Sequence, residues 1–270
     1  MTAPSLHEQI KAAAAYEDFF VPALFQEWAP RVADGAMLRA GQRVLDVACG
    51  TGVLAREALL RVGTEGLVAG LDLNPGMLSV AERIQPLIKW RQGRAEALPY
   101  ADASFDAVVS QFGLMFFEDR QKALSEMLRV LVPGGHMSLA VWGSLESSSA
   151  YADEVALLER IAGRQAAEAL IAPFVLGYPH DLALLFNQAG VTSLRITTHN
   201  GRAMFPSIRS MVEADLRGWL PVMGVLLSEE QIAVILQEAE QALSTYVGSN
   251  GRVTFDSPAI IVTAAKPMPA

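Results

Sequence analysis

Val44-Leu45-Asp46-Val47-Ala48-Cys49-Gly50-Thr51-Gly52-Val53-Leu54-Ala55 begins as a β-branched apolar run, breaks at two glycines and continues in residues that favour a helix. Strand, tight turn and helix in that order bring backbone without bulky Cβ atoms close to a ligand, and the helix start adds free N–H groups. Gly50 and Gly52 are therefore read as a small-molecule cradle. Two registers compete. Gly50-x-Gly52-x-x-Ala55 satisfies the dinucleotide fingerprint, and Asp72 stands about 20 residues on, where a ribose-binding acid is expected. Asp46-x-Ala48-x-Gly50-x-Gly52 instead places the acid on the strand itself. The loop alone leaves both open.

Outward from the loop, apolar strand candidates fall at 43–48, 67–72, 87–92, 105–111 and 136–142, with helical patterns at 52–62, 76–84 and 119–131. This alternation predicts βαβ units, a parallel sheet and helices on both faces. Pro133-Gly134-Gly135 reads as a turn ending the helix near Val130. Residues 8–33 form an alanine-rich, then aromatic preface carrying Tyr16, Phe19, Phe20, Leu24, Phe25 and Trp28, divided by Pro22 and Pro30. Beyond Trp142 the pattern predicts helix at 149–171, a connector from Pro173 to Pro179, helix at 180–189 and an alternating strand near 191–205. A helical stretch at 207–247 and a final strand at 252–265 follow, then a frayed Met/Pro/Ala tail.

A chain of 270 residues can bury one large core. Its 51% hydrophobic content and mean hydropathy of +0.28 suit a sheet covered on both faces and an apolar pocket. A formal charge of −8 argues against unaided nucleic-acid binding, which needs a basic surface. Cys49 is the single cysteine, so no intrachain disulfide forms and a reducing compartment is the simplest expectation. No signal peptide is evident and no apolar run approaches the ~18 residues of a membrane span. The expected location is the cytoplasm.

Four segments together are more specific than any one: Leu45–Gly52; Gly70-Leu71-Asp72-Leu73-Asn74-Pro75-Gly76-Met77-Leu78; Arg94-Ala95-Glu96-Ala97-Leu98-Pro99 leading into Ser104–Val109; and Arg129–Gly135. In order and spacing, residues 40–145 resemble a class I S-adenosylmethionine (SAM) methyltransferase of the ubiquinone-biosynthesis type. Ala48 stands where that family's first motif carries its first glycine. The resemblance implies a Rossmann-like, seven-stranded, mostly parallel α/β sheet. It implies a helical cap at 1–35, a SAM-binding core at 36–145 and a helical insertion with a core helix and strand at 146–205. A second helical insertion at 206–250 and a final core strand and tail at 251–270 complete it.

By the same resemblance, SAM is the cofactor. Asp46, Ala48, Gly50 and Gly52 seat its methionine end, where the helix dipole favours a carboxylate. Asp72 accepts from the ribose hydroxyls, with Asn74 the better helix cap. Leu73 and the Met77 thioether flank the adenine. Ala95 is the backbone donor to the base, with Arg94 or Glu96 beside it, although the family commonly has aspartate where Arg94 stands. Ser110, Gln111 and Phe112, at the carboxyl edge of their strand, face the methionine moiety or the acceptor.

Methyl transfer from a sulfonium needs alignment and desolvation, with a base only where the acceptor must lose a proton. No metal-ligand spacing and no nucleophile triad stands out. His7, His136, His180 and His199 are weak base candidates, so Tyr16 and Gln111 are the expected polar groups at the reaction. Phe20, Trp28, Phe116, Phe117, Phe174, Tyr178, Met211, Trp219 and Met223 could wall a pocket for a small apolar or aromatic acceptor, or equally form core or a homodimer surface. The rivals are an NAD(P)-dependent oxidoreductase on the same glycine loop and a noncatalytic SAM-binding module.

Overall fold

A computed structural model describes residues 5–191 and 193–268. Met1–Pro4, Thr192, Pro269 and Ala270 lie outside them, including part of the expected strand near 191–205 and the end of the tail. The elements that build the sheet are β1 (Arg43–Val47), β2 (Leu67–Asp72), β3 (Lys89–Gln92), β4 (Phe105–Gln111), β5 (Leu131–Trp142), β6 (Leu194–His199) and β9 (Ala259–Ala265). A separate ribbon pairs β7 (Arg202–Phe205) with β8 (Val253–Asp256). The sheet has the order β3-β2-β1-β4-β5-β9-β6, in which β9 alone runs antiparallel to its neighbours. The fold is thus the Rossmann-like, mostly parallel seven-stranded sheet expected.

The chain order reverses between β1 and β4, so a crevice opens at the carboxyl ends of these two central strands. Both are buried central strands, on which α2 (Trp28–Gly35) and α3 (Val53–Val62), themselves in contact, pack; Leu45 and Val108 are fully buried. Around the sheet lie α1 (Leu6–Ala15), α4 (Pro75–Ile84), α5 (Arg120–Val130) and α8 (Pro179–Gln188). A helical cap holds α6 (Ser149–Ala162), α7 (Arg164–Ile171), α9 (Ile208–Ala214), the short α10 (Leu220–Val222) and α11 (Glu229–Ala242), with α11 packed on α6 and α9.

Several sequence expectations need correction. The helix at 149–171 breaks at Gly163, whose φ of +88° no other residue type adopts readily. The strand near 191–205 is two strands in two sheets, and the final strand divides at Ser257-Pro258 because proline cannot donate to a ladder. Pro133-Gly134-Gly135 is not a terminating turn but an irregularity inside β5. Pairing with β4 jumps from Phe105↔Leu131 to Ala107↔His136, while Gly134, at φ +74°, donates to Lys266 O. Pro22 does not divide the preface either. Tyr16–Phe25 is π-helical, and this wider turn accommodates the proline. Pro30 lies in the first turn of α2, where its missing N–H costs nothing.

Candidate active site

At the crevice the chain bends through two residues in the left-handed region that are not glycine. Ala48, just past β1, and Phe112, just past β4, both have φ of 56°. Such backbone is costly for a residue with a Cβ and concentrates at functional sites. Gly50 (φ +54°) and Gly52 (φ +92°) continue the turn into α3. A Cβ on Gly52 would fall 2.4 Å from the Trp90 ring, whereas one on Gly50 would approach only Tyr16 Cε1, at 4.0 Å. Gly52 is therefore fixed by packing. At Gly50 the missing Cβ leaves open space.

Asp72 holds this loop. Its Oδ2 accepts the Gly50 N–H and its Oδ1 the Asn74 N–H, both at 2.8 Å. Burial raises its pKa, and the Asn74, Gly50 and Leu73 amides pull against that rise. Asn74 caps α4, its Oδ1 accepting from Gly76 and Met77, with Pro75 in the first turn. Gly76 lets α1 cross α4, since a Cβ there would lie 2.5 Å from the Gln9 backbone. Arg56 of α3 ties the loop to the preface by donating to Thr51 O at 2.8 Å and Glu17 Oε1 at 2.7 Å.

Asp46 is 1% exposed, and neither carboxylate oxygen makes a hydrogen bond of normal length and angle among the described residues. Burial pushes its pKa well up, opposed by the Ala55 amide and reinforced by Asp72. A buried acid left in that state fits a cationic ligand group. The Ser110 and Thr51 hydroxyls are likewise buried and without a hydrogen-bond partner among the described residues. Burial, with Asp72, Glu17 and Asp46 nearby, drives the Tyr16 hydroxyl well above its ordinary value, so this phenol stays neutral. Burial raises the Cys49 thiol too, which leaves it a packing residue.

The cradle opens into a cavity of about 550 Å³ whose lining brings together Ala48, Gly50, Asp72, Leu73, Met77, Arg94, Ala95, Glu96, Gln111, Phe112 and Tyr16. Asp46, Gly52 and Ser110 are not among its lining residues. Arg94 pairs with Glu118 at 2.6 Å, and Glu96 accepts the Glu118 N–H at 3.0 Å. Both side chains therefore brace the rim. The Gln111 amide donates to Phe25 O at 3.0 Å, tying β4 to the π-helical preface.

A second cavity, of about 110 Å³, adjoins the first, and Tyr16, Phe112, Phe116 and Trp219 line both. Its wall is aromatic. Phe112 stacks on Trp142 at 3.7 Å and 8°, and Phe25 meets both rings at 5.6 and 5.8 Å. The wide turn of the preface puts Tyr16, Phe20, Leu24 and Phe25 on this one cavity, and a second π-helical turn, Asp215–Trp219, supplies its other side.

Of the aromatic and Met candidates, Phe20, Phe116, Phe174 and Trp219 reach this chamber, while Phe117 and Met223 line the cradle. Trp28 and Met211 are instead fully buried core, and Tyr178 is exposed, donating to Glu146 at 3.1 Å. His136 and His199 lie on a different surface, beside Arg195 and Thr263. Sequence reading missed Trp142, Tyr151 and Asp215 in the chamber wall. Trp142 carried a signal, since it ends a strand at the same sheet edge as Phe112; Asp215 carried none.

A strand–glycine loop–helix with an acid at the next strand end, on a sheet of this order, defines a Rossmann-like methyltransferase fold. Residues 45–139 match the methyltransferase domain family. The demethylmenaquinone methyltransferase of Renibacterium salmoninarum is 46% identical over 115 residues, 43% of this chain and 47% of that protein. That of Paenarthrobacter aurescens is 32% identical over 186 residues, 65% and 72% of the two chains. The ubiquinone/menaquinone biosynthesis C-methyltransferase UbiE of a Marinomonas species is 37% identical over 144 residues, 50% and 57%. The chain thus spans about half the length of most of these curated relatives.

Among solved structures, the Bacillus subtilis YcgJ protein superposes with a TM-score of 0.59 at 20% identity, covering 90% of this chain and 99% of that one. A Haemonchus contortus phosphoethanolamine N-methyltransferase holding S-adenosylhomocysteine gives 0.60 at 18%, covering 98% and 61%; both likenesses speak to the fold. The chain belongs to the class I SAM-dependent methyltransferases of the ubiquinone/menaquinone type.

Proposed function

We propose that this chain binds SAM in the cradle and transfers its methyl group to a small quinone-type ring held in the aromatic chamber. The carrying observation is that the two cavities share Tyr16, Phe112, Phe116 and Trp219, so a donor in one faces an acceptor in the other. The relatives named for demethylmenaquinone and ubiquinone/menaquinone support the ring class. SAM supplies an activated methyl group with a good leaving group, so the protein's work is alignment and exclusion of water.

In this reading Asp46 balances the methionine ammonium, and the α3 N-terminus with Gly50 and Gly52 receives the carboxylate. Ala48 and Ser110 border that end. Asp72 keeps a free lone pair on each oxygen for the ribose hydroxyls while holding the loop. Leu73 and Met77 cover the adenine, Ala95 offers its N–H, and Arg94 and Glu96 close the rim. Tyr16 and Gln111 orient the reacting groups as neutral hydrogen-bonding partners, and Phe112 borders both cofactor and acceptor. The same reading keeps the enzyme in the cytoplasm, away from nucleic acid, with a homodimer open. Among the described residues no single helix is long and apolar enough to cross a membrane.

Calorimetric titration with S-adenosylhomocysteine and with NAD tests the donor, and methyl transfer from labelled SAM to a panel of quinols tests the acceptor. Stabilisation by NAD and not by S-adenosylhomocysteine would sink the reading in favour of an oxidoreductase. Binding without transfer to any panel member would favour a noncatalytic module.

A further inference from the structure

The chamber is apolar but for one feature that the transfer reading leaves unused. Asp215, first residue of the second π-helical turn, is 3% exposed and is the one carboxyl among the described residues lining the chamber. Its Oδ2 is buried without a hydrogen-bond partner among the described residues. Glu154 on α6, close enough to interact with it electrostatically, is 0% exposed, and neither of its oxygens has a hydrogen-bond partner among the described residues. Tyr151, one turn earlier on α6, lines the chamber and feels both acids. Unpartnered polar atoms this deep are destabilising, so their retention points to a use that satisfies them. π-Helical turns also recur at functional sites.

Position narrows that use. Asp215 and Tyr151 line the chamber only, whereas Tyr16, Phe112, Phe116 and Trp219 also line the cradle. The carboxyl therefore stands away from the four residues that border the cradle. The cavity, at about 110 Å³, is smaller than the ~150 Å³ apolar cavity known to admit benzene, so it matches one ring at most.

We propose that Asp215 anchors the acceptor: its free Oδ2 takes the hydrogen bond of a hydroxyl on a small aromatic ring, on the side of the ring remote from the atom facing the cradle. The proposal rests on the chamber being the acceptor site. Burial raises both acids, and beside each other in so dry a place they do not both ionise. A neutral hydroxyl meets such a pair without bringing a further charge into the apolar wall. Met by no partner, the same hydroxyl would lose its water for nothing and bind worse than a bare ring.

Phenol and toluene, alike in size and different in the hydroxyl, are the probes. Calorimetric titration of the full chain, with and without S-adenosylhomocysteine, is expected to show phenol tighter by about tenfold or more. Asp215→Leu should abolish that preference while leaving toluene and S-adenosylhomocysteine binding unchanged, and Asp215→Ala gives the same readout if the leucine variant does not fold. Equal binding of the two probes by the wild type, or a preference surviving both substitutions, would overturn the anchor. So would benzylammonium binding more tightly than phenol, since that marks a cation site. If S-adenosylhomocysteine fails to bind while the phenol preference holds, the transfer reading falls, and with it the acceptor role of the anchor, while the hydroxyl-binding carboxyl at Asp215 stands.

Discussion

In the cradle, charged groups and the backbone they serve are joined through the ends of adjacent strands: Asp72 on β2 takes the N–H of Gly50, just past β1, and of Asn74, two residues on. In the chamber, the rings come from a π-helical preface, from the ends of β4 and β5 and from the cap, and the lining acid Asp215 and its neighbour Glu154 behind the wall belong to helices distant in the chain. The cradle's shape is thus set by backbone conformation. The chamber's shape is set by side-chain packing between distant elements, where substitution can alter the bound ring without disturbing the donor seat.

The largest expected break in that contrast is Asp72→Ala. It leaves the Gly50 and Asn74 N–H groups without their acceptor and removes the ribose contact, so affinity for S-adenosylhomocysteine should fall by about 3 kcal/mol or more, at the usual worth of charged hydrogen bonds. Phenol binding in the chamber should change little. Titration of both ligands into the variant checks this, and parallel losses would show that the two regions are not separable.

The same contrast explains what was legible in the sequence. Gly50 and Gly52, Asn74 before Pro75 and the β-branched runs act within their own few residues, so strand, loop and cap could be read directly and the sheet followed from their alternation. The chamber depends on i→i+5 turns that aromatic patterning does not distinguish from ordinary helix, and on tertiary approach of α6 to the Asp215 turn. Hence Phe20 and Trp219 were among the candidates for a pocket wall, but Trp28 was too and proved to be core, with Gly201 packed against its ring. Gly163 and Pro258, which split a helix and a strand, are punctuation that only tertiary context makes decisive.

Asp46→Asn should move stability and binding in opposite directions. The wild-type carboxyl is buried with no hydrogen bond of normal geometry among the described residues, so the amide is expected to raise the stability of the ligand-free protein by about 1 kcal/mol, while S-adenosylhomocysteine affinity drops by about 2 kcal/mol. Denaturant unfolding and calorimetry on the same samples separate the two. A loss in both would mean that Asp46 supports the loop rather than the ligand.

The buried acid beside Asp215 gives a pH signature. Glu154 has a raised folded-state pKa, caused by burial and then by Asp215, so its contribution to stability is complete below the unfolded value of about 4.3 and is lost as pH rises through the folded value. Glu154→Gln removes that loss. The variant should gain on the wild type above about pH 4.3, by at most about 1.4 kcal/mol per pH unit, until Glu154 is fully ionised in the folded wild type. Asp106 and Glu126, held low by Arg43 and Arg129, titrate in both proteins and cancel in the difference. A difference independent of pH would deny the buried pair.

The smallest effect, at Ala48, tests the strain at the seam, with Phe112 as its larger counterpart. Ala48 and Phe112 share a φ of 56°, at the ends of the two strands that flank the crevice. Ala48→Gly relieves about 1–2 kcal/mol of left-handed strain and costs about 0.5–1 kcal/mol in chain entropy, a net gain near 1 kcal/mol or less. Phe112→Gly relieves the same strain but gives up the stack on Trp142 and the packing against Phe25, so it should destabilise by about 2 kcal/mol or more. Opposite signs in paired denaturant titrations would show that equal backbone geometry is held by the loop on the cradle side and by aromatic packing on the chamber side. If both glycines stabilise, the Phe112–Trp142 stack is not what secures the wall, and the chamber owes its shape to the backbone after all.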